Sequence, residues 1–145
     1  MDIEVETWHP KLKENNYKII NVEKNLGDFN CIAFVIDVHD TWCGSFTSSW
    51  PYKTISRQST LENYIKYFNT FGYEICDNDK YEEEFDKIAI YISKLGNVTH
   101  AARQYENKWR SKLGGSVIIE HELDWLTGFD ADNYGNIGSI LKKNK

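Results

Sequence analysis

The feature that most constrains the fold is a run of three strand-like segments in the C-terminal half, separated only by turn residues. KIAIYI (87–92) is an apolar, β-branched run, and the turn KLGN separates it from NVTHAARQY. The turn EN then leads into KWRSKL. Strands joined by such short connections pair in antiparallel order. The pattern therefore predicts an antiparallel meander.

Helical patterns lie before this meander. STLENYIKYFNTFGY has Ser59 or Thr60 as an N-cap and Gly72 as a stop signal, and its apolar residues fall on one helical face. Trp8-His9-Pro10 is suited to start a short helix. The run FNCIAFVIDV (29–38) leaves helix and strand both open.

Two segments follow the meander. IIEHELDWL (118–126) has the spacing of a short amphipathic helix, with Ile118, Leu123 and Leu126 as predicted core positions. YGNIGSILKK is expected to form a last strand. The chain of 145 residues has the usual length of one domain. We therefore predict a single α+β domain over 1–145, with N-terminal helices packed on a C-terminal antiparallel sheet.

Charge and composition exclude several classes of partner. The net charge of −5 disfavours nucleic acid, whose binding depends on neutralising phosphates. No apolar run approaches the ~20 residues that span a membrane, and no secretory signal is visible. Cys31, Cys43 and Cys76 form no CxxC motif and are typical of thiols in a reducing compartment. The expected location is cytoplasmic, although export by a signal-independent route would leave the same sequence.

Cys31 is the candidate nucleophile. It follows Asp28 and Asn30, which are both good N-caps, so a helix starting there would place the sulfur over the positive end of the helix dipole. A thiolate is favoured at such a position. The alternative is a buried cysteine that packs as a small hydrophobic residue.

His100 is the candidate general base. It lies in Val-Thr-His-Ala-Ala, where small residues leave room for an imidazole to reach across a cleft. A base of this kind is oriented by a third polar group, for which Gln104, Ser111 and Lys112 are candidates. The alternative is a structural histidine at the surface or at the edge of the core.

Several segments resemble a bacterial domain family of unknown function. That family carries an N-C-hydrophobic-A segment, a THAARQ segment, a W-x-S-K-L-G segment and an I-E-H segment. NCIAF, THAARQ, KWRSKLG and IEHELDWLTG match them in this order, and the resemblance runs from about residue 28 to residue 143. The block from THAARQ to SKLG is its most specific part.

The order of Cys31, His100 and Ser111 is also similar to papain-like cysteine hydrolases. Those enzymes place the cysteine at the start of a helix, the histidine on a later strand and an orienting residue on the next strand. Cell-wall amidases with a KIAIY-type strand before a histidine-bearing strand are similar too. This resemblance implies a papain-like or cell-wall-amidase-like fold. The chain departs from these enzymes at Lys87, where the amidases carry their base, and near Ser111, where papain has an asparagine.

The papain-like resemblance implies an enzyme that cleaves amide or ester bonds, or a related acyl transferase. His100 would take the thiol proton, Cys31 would attack the carbonyl carbon and Ser111 would be the third catalytic residue. The predicted substrate-binding residues include one that helps hold the oxyanion and two tryptophans that line a groove; they are Asn30, Trp42, Trp50, Gln104, Lys112 and His121. The expected substrate is peptide-like, peptidoglycan-like or a protein. No cofactor is expected.

Metal sites are weakly indicated. His39 and Cys43 have a spacing that can chelate zinc on a helix, but Gly44 and the lack of a second ligand pair argue against it. We predict no metal.

The rival hypothesis is a non-catalytic interaction domain of the immunity or adaptor type. Its acidic charge and exposed aromatic side chains would form the binding face for a protein partner. Cys31 would then belong to the core and His100 would be structural. The distance between the Cys31 sulfur and a His100 nitrogen separates the two hypotheses.

Overall fold

The computed structural model describes residues 3–20, 25–130 and 133–145. Its strands are β1 (Lys18–Ile20), β2 (Glu74–Cys76), β3 (Phe85–Ile92), β4 (Val98–Tyr105), β5 (Lys108–Lys112), β6 (Ile118–His121) and β7 (Asn136–Asn144). Its α-helices are α1 (Ile3–Trp8), α2 (Cys31–Val35) and α3 (Leu61–Asn69), and 3-10 turns occupy Pro10–Glu14, Leu26–Asp28 and Leu123–Leu126. The predicted α+β class is confirmed.

All seven strands form one sheet in the order β1-β6-β5-β4-β3-β7-β2, with every neighbouring pair antiparallel. The predicted meander of β3, β4 and β5 is present, and β6 continues it. The last strand returns to pair with β3. The two edges are three-residue strands from earlier in the chain, so the sheet is not confined to the C-terminal half. None of the helices in the described ranges is long and apolar enough to cross a membrane.

Both faces of the sheet are buried. The face that we call the α2 face carries Ile88, Ile90, Ala101 and Ile118 and packs against side chains of α2, α3 and the loop between them. The opposite face, the α1 face, carries Ala89, Tyr91, Ala102 and Ile119. It packs against residues from the chain's beginning, Val5, Leu12 and Tyr17, and against Leu126. The core is therefore divided in two by the sheet.

Helix α3 forms where its sequence predicts. The Thr60 side chain accepts a hydrogen bond from the backbone N–H of Asn63, which satisfies one free donor at the helix start. Tyr64 and Phe68 are buried as predicted, and the turn after the helix contains Gly72 at a φ of 93°. This helix buries an aromatic cluster that also includes Trp50.

The helix predicted for 118–126 is wrong. Ile118–His121 forms strand β6, which pairs with β5 on one side and β1 on the other, and only Leu123–Leu126 turns, as a 3-10 helix. Two adjacent isoleucines are buried on opposite faces of the sheet, which an amphipathic helix cannot do. Pairing with two neighbouring strands overrides the helical spacing.

The acidic loop between β2 and β3 is fastened by a buried lysine. Lys87 is fully buried, and its ammonium donates to Asn78 Oδ1 at 2.9 Å and to the Lys80 carbonyl at 2.6 Å. It also pairs with Glu82 Oε2 at 2.8 Å. Because a buried ammonium must be fully satisfied, Lys87 fixes this loop against the sheet. Glu82 is tied to the sheet by this ion pair and is only partly exposed.

Gly135, which precedes β7, allows a test of how closely the start of β7 packs against the end of β3. It pairs with Gly128 by two backbone hydrogen bonds, and a Cβ at Gly135 would lie 1.9 Å from the Ile92 carbonyl oxygen. We expect Gly135→Ala to lower the free energy of unfolding by about 4 kcal/mol or more. Gly96→Ala is the matched control, because Gly96 also has a positive φ but open space around its Cβ position.

Gly96→Ala should cost about 1 kcal/mol, from backbone strain alone. Urea denaturation of both variants measures the difference. Equal losses for the two variants would mean that the contact between Gly135 and Ile92 is not formed in solution.

Candidate functional site

Cys31 lies at the start of α2, so the helix is the correct one of the two alternatives that the sequence leaves open for 29–38. Asn30 caps this helix: its Oδ1 accepts hydrogen bonds from the backbone N–H groups of Ala33 (3.2 Å) and Cys43 (3.0 Å). Its Nδ2 donates to the Cys43 carbonyl at 2.7 Å. Asn30 is buried and fastens the helix start to the following loop. Its amide is thus engaged within the protein rather than presented to an oxyanion.

Cys31 is half-buried and packs against the core on the α2 face of the sheet. Desolvation by burial raises the pKa of the Cys31 thiol to about 11, although backbone hydrogen bonding at Ala101 and the charge of Lys112 act in the opposite direction. A thiol with that pKa is ionised in roughly one molecule in ten thousand at pH 7. The helix start alone does not produce a thiolate here.

His100 lies on the other side of the sheet. In the register with β3, His100 pairs with Tyr91 and Ala101 pairs with Ile90. Tyr91 belongs to the core on the α1 face, whereas Ile90 and Ala101 belong to the core on the α2 face, with Cys31 packed against it. Successive side chains of a strand project to opposite faces. The structure therefore does not bring Cys31 and His100 together.

His100 instead belongs to a buried chain of hydrogen bonds, which we call the histidine relay and define as His100, Ser111 and His121. His100 Nε2 lies 2.8 Å from Ser111 Oγ, and Ser111 Oγ lies 2.7 Å from His121 Nε2. His121 Nδ1 lies 2.7 Å from the carbonyl oxygen of Glu122. All three side chains are almost completely buried.

The Glu122 carbonyl fixes the protons along the histidine relay. A carbonyl only accepts, so His121 Nδ1 carries a proton and donates to it. In the neutral ring, His121 Nε2 is then the acceptor for the Ser111 hydroxyl proton. Ser111 Oγ in turn accepts from the N–H at His100 Nε2. His100 Nδ1 is left as a buried acceptor, and it has no partner within the described residues.

Both histidines of the relay are held neutral. Burial, followed by the proximity of His121 and His9, lowers the pKa of His100 well below its ordinary value. Burial also lowers the pKa of His121 to about 4, against a smaller opposing effect of its hydrogen bond to Glu122. Ser111 has no exposed surface, so its hydroxyl is out of reach of any substrate.

Lys112 is the ionisable group that the structure places beside Cys31. It is adjacent to Ser111 in sequence and projects to the α2 face, where its ammonium lies 4.7 Å from the Phe29 ring centroid. Its Nζ donates to the Gly114 carbonyl at 2.8 Å, and burial lowers its pKa to about 8. The sequence names Lys112 as a substrate-binding residue, yet the residue is fully buried.

The remaining predicted binding residues are dispersed. Trp50 is buried and stacks on Tyr67 at 4.5 Å, so it belongs to the core rather than to a groove. Trp42 is partly exposed and donates to the Gly27 carbonyl at 2.9 Å. Gln104 donates to the Asp79 carbonyl at 2.8 Å and ties the acidic loop to β4. These three residues do not share one site.

A cavity lies on a part of the molecule that the sequence does not indicate. It has a volume of about 760 Å³ and is lined by Glu4, Trp8, His9, Leu113, Gly114, Gly115, Ser116 and Tyr134. Tyr134 connects it to the histidine relay, because the Tyr134 ring stacks on the His100 ring at 3.9 Å with an interplanar angle of 5°. None of the predicted site residues lines this cleft. Within the described parts of the chain, no group of three or more metal-binding side chains occurs.

Comparisons with known proteins give a family without a known activity. No curated protein matches the chain, and no solved structure matches it. A family model described as "Domain of unknown function (DUF7689)" matches residues 21–142. This range includes the NCIAF, THAARQ and KWRSKLG segments, so the predicted resemblance to a domain family of unknown function is confirmed. The chain belongs to the DUF7689 family of domains of unknown function.

Proposed function

We propose that this domain is a non-catalytic interaction domain, which binds a partner or ligand without chemical turnover. One observation carries the proposal: the sheet lies between Cys31 and His100, so the thiol and the imidazole cannot exchange a proton. A cysteine hydrolase needs its base within hydrogen-bond reach of the nucleophile.

The scaffold itself is compatible with a papain-like ancestry. Helix α2 starts at a cysteine, which is where papain-like hydrolases place their nucleophile, and it packs on β4 and β5. The β4 residue beside the Cys31 thiol, however, is Ala101, whose backbone hydrogen-bonds with the thiol and whose side chain belongs to the α2-face core. The base position of a papain-like site is thus occupied by a methyl group, which supports binding rather than hydrolysis.

The histidine relay has a structural role in this proposal. Ser111 Oγ accepts from one histidine and donates to the other, so its hydrogen-bonding capacity is used inside the core. A buried polar group of this kind is retained only when it is satisfied. The relay joins β4, β5 and β6 and sets the orientation of the His100 ring.

A second candidate function follows from Lys112. Because Lys112 lies near Cys31 on the α2 face and its pKa is lowered to about 8, it is placed to accept a proton from the thiol. A Cys31–Lys112 pair would support acyl transfer to or from an amide or ester. The pKa of Cys31, about 11, favours the non-catalytic role.

The reactivity of Cys31 tests both candidates. We expect iodoacetamide to alkylate Cys31 slowly at pH 7, with a rate that rises about tenfold per pH unit up to pH 9 and reaches no plateau, because only the thiolate reacts. His100→Gln should change this rate by less than about twofold. Mass spectrometry of tryptic peptides measures each cysteine separately, so Cys43 and Cys76 serve as internal reference thiols.

Two results would contradict the non-catalytic proposal. A rate plateau below pH 7 that disappears in His100→Gln would restore the Cys-His hydrolase. A plateau near pH 8 that disappears in Lys112→Met would favour the Cys31–Lys112 pair. A urea-unfolded sample gives the intrinsic rate of each thiol, which separates a protected sulfur from an inactive reagent.

The neutral histidines predict an acid-sensitive fold. The pKa of His121 is about 4 when folded and near 6.5 when unfolded, so the unfolded chain binds the proton first and stability falls as the pH drops through this interval. Between pH 7 and pH 5 the loss from His121 is about 2 kcal/mol. The lowered pKa of His100 adds a loss in the same direction.

Urea titrations at several pH values measure this loss. His121→Gln should reduce the decrease in unfolding free energy between pH 7 and pH 5, whereas His39→Gln should preserve it, because His39 lies outside the relay and is partly exposed. A wild-type free energy that stays constant or increases between pH 7 and pH 5 would show that the relay is not neutral and buried in solution.

A further inference from the structure

The cleft of about 760 Å³ has the size of a small-molecule site. Its walls come from three parts of the chain. Trp8 and His9 lie at the end of α1, while Leu113–Ser116 form the turn between β5 and β6. Tyr134 closes a third side. The cleft therefore combines aromatic rings with a turn that contains two adjacent glycines.

The charge of the cleft is acidic. Glu4 contributes a carboxylate, and no lysine or arginine is found among the described lining residues. The whole chain has a net charge of −5, which favours the approach of cations over anions. An anionic ligand such as a phosphate would meet a carboxylate here, with no lysine or arginine among the described lining residues to balance its charge.

The aromatic walls of the cleft are also suited to a cation. The faces of tryptophan and tyrosine rings attract cations, and an ammonium within about 6 Å of a ring centroid gains most from them. Trp8 and Tyr134 both line the cleft, and each is partly exposed. Trp8, Tyr134 and Glu4 together combine two rings with one carboxylate, the set of groups that recognises an organic cation.

The Tyr134 wall is held in place from behind. Its ring stacks on His100, which is fixed by the hydrogen bond to Ser111, and it also contacts the His9 ring at 4.9 Å. A rigid wall loses little conformational entropy when a ligand binds. The histidine relay therefore prepares one side of the cleft before any ligand arrives.

From these observations we propose that the cleft binds an alkylammonium group. This inference rests on the proposed binding function and adds the chemical class of the ligand. The aromatic rings contact the alkyl substituents and the positive charge, and Glu4 balances the charge at the cleft's rim. The ammonium is bound as a cation, and no bond in it is formed or broken.

Two pairs of probes test the proposal on the full chain. Choline is compared with 3,3-dimethyl-1-butanol, a neutral molecule of the same shape, and Nα-acetyl-lysine amide is compared with Nα-acetyl-norleucine amide. Chemical shifts of the Gly114, Gly115 and Ser116 amides in ¹⁵N–¹H spectra report binding in the cleft. We expect at least one cation to bind about tenfold more tightly than its neutral counterpart.

The two pairs distinguish the source of the ammonium group. Selective binding of choline indicates a small quaternary ammonium ligand, whereas selective binding of the lysine amide indicates a lysine side chain of a protein partner. Either result supports the proposal. Equal binding of cation and neutral counterpart, or no shift at the cleft amides, overturns it.

Glu4→Gln is the main variant, because it removes the charge and keeps the size of the side chain. It should weaken cation binding about three- to fivefold and leave the neutral probes unchanged. Glu62→Gln is the matched control, since it makes the same change on α3, which contributes no residue to the cleft. Trp8→Leu should weaken binding about fivefold, provided that its spectrum shows a folded chain. Unchanged cation binding in both Glu4→Gln and Trp8→Leu overturns the proposal.

These results are independent of the Cys31 experiment. If no cation binds and Cys31 is unreactive, the alkylammonium assignment is rejected and the non-catalytic proposal still stands. An activated Cys31 removes the non-catalytic proposal, whatever the spectra show at the cleft.

Discussion

The alternation of side chains along β4 decides which residues of this protein can act together. His100 and Ala102 project to the α1 face, and Ala101 between them projects to the α2 face. The rise of one residue along a strand thus moves a side chain from one core to the other. The Cys31 thiol is hydrogen-bonded by the backbone of the middle residue, Ala101, whereas the imidazole next to it in sequence lies in the core on the α1 face.

The same alternation sends the two buried polar residues of β5 to opposite faces of the sheet. Ser111 joins the histidine relay on the α1 face, while Lys112 lies over Phe29 on the α2 face. Each polar group is satisfied inside its own layer, which is the condition for burying it. A motif with a histidine, a serine and a lysine can therefore look catalytic in sequence and yet serve the packing of two cores on one sheet.

Much of the fold was predictable from local patterns. The cap at Thr60, the apolar face of α3 and the short turns of the meander are local signals, and the structure follows them. Cys31 at a helix start is also a local property, because Asn30 supplies the cap. The helix predicted at 118–126 failed because pairing of β6 with two neighbouring strands is a long-range effect that helical spacing does not report.

The site was less predictable than the fold, for a physical reason. When both faces of a strand are buried, apolar and polar residues no longer alternate, so the sequence does not reveal which face a side chain takes. His100, Ala101 and Ala102 are all buried. The THAARQ pattern therefore does not predict that the His100 side chain projects away from α2. Lys87 and Lys112 are fully buried, because the conformation of a neighbouring loop or turn places a backbone carbonyl beside each ammonium, that of Lys80 for Lys87 and that of Gly114 for Lys112.

The residues that line the cleft lie partly inside and partly outside the range that the family model matches. Leu113–Ser116 and Tyr134 lie within residues 21–142, which the DUF7689 model covers, as do His100 and the rest of the histidine relay that supports Tyr134. Glu4 and Trp8 precede the matched range. The supported wall of the cleft, Tyr134, is thus built from the family's domain, whereas the other two groups that would select a cation come from the segment before it. Ligand selectivity can therefore change in that segment while the relay and the sheet stay the same.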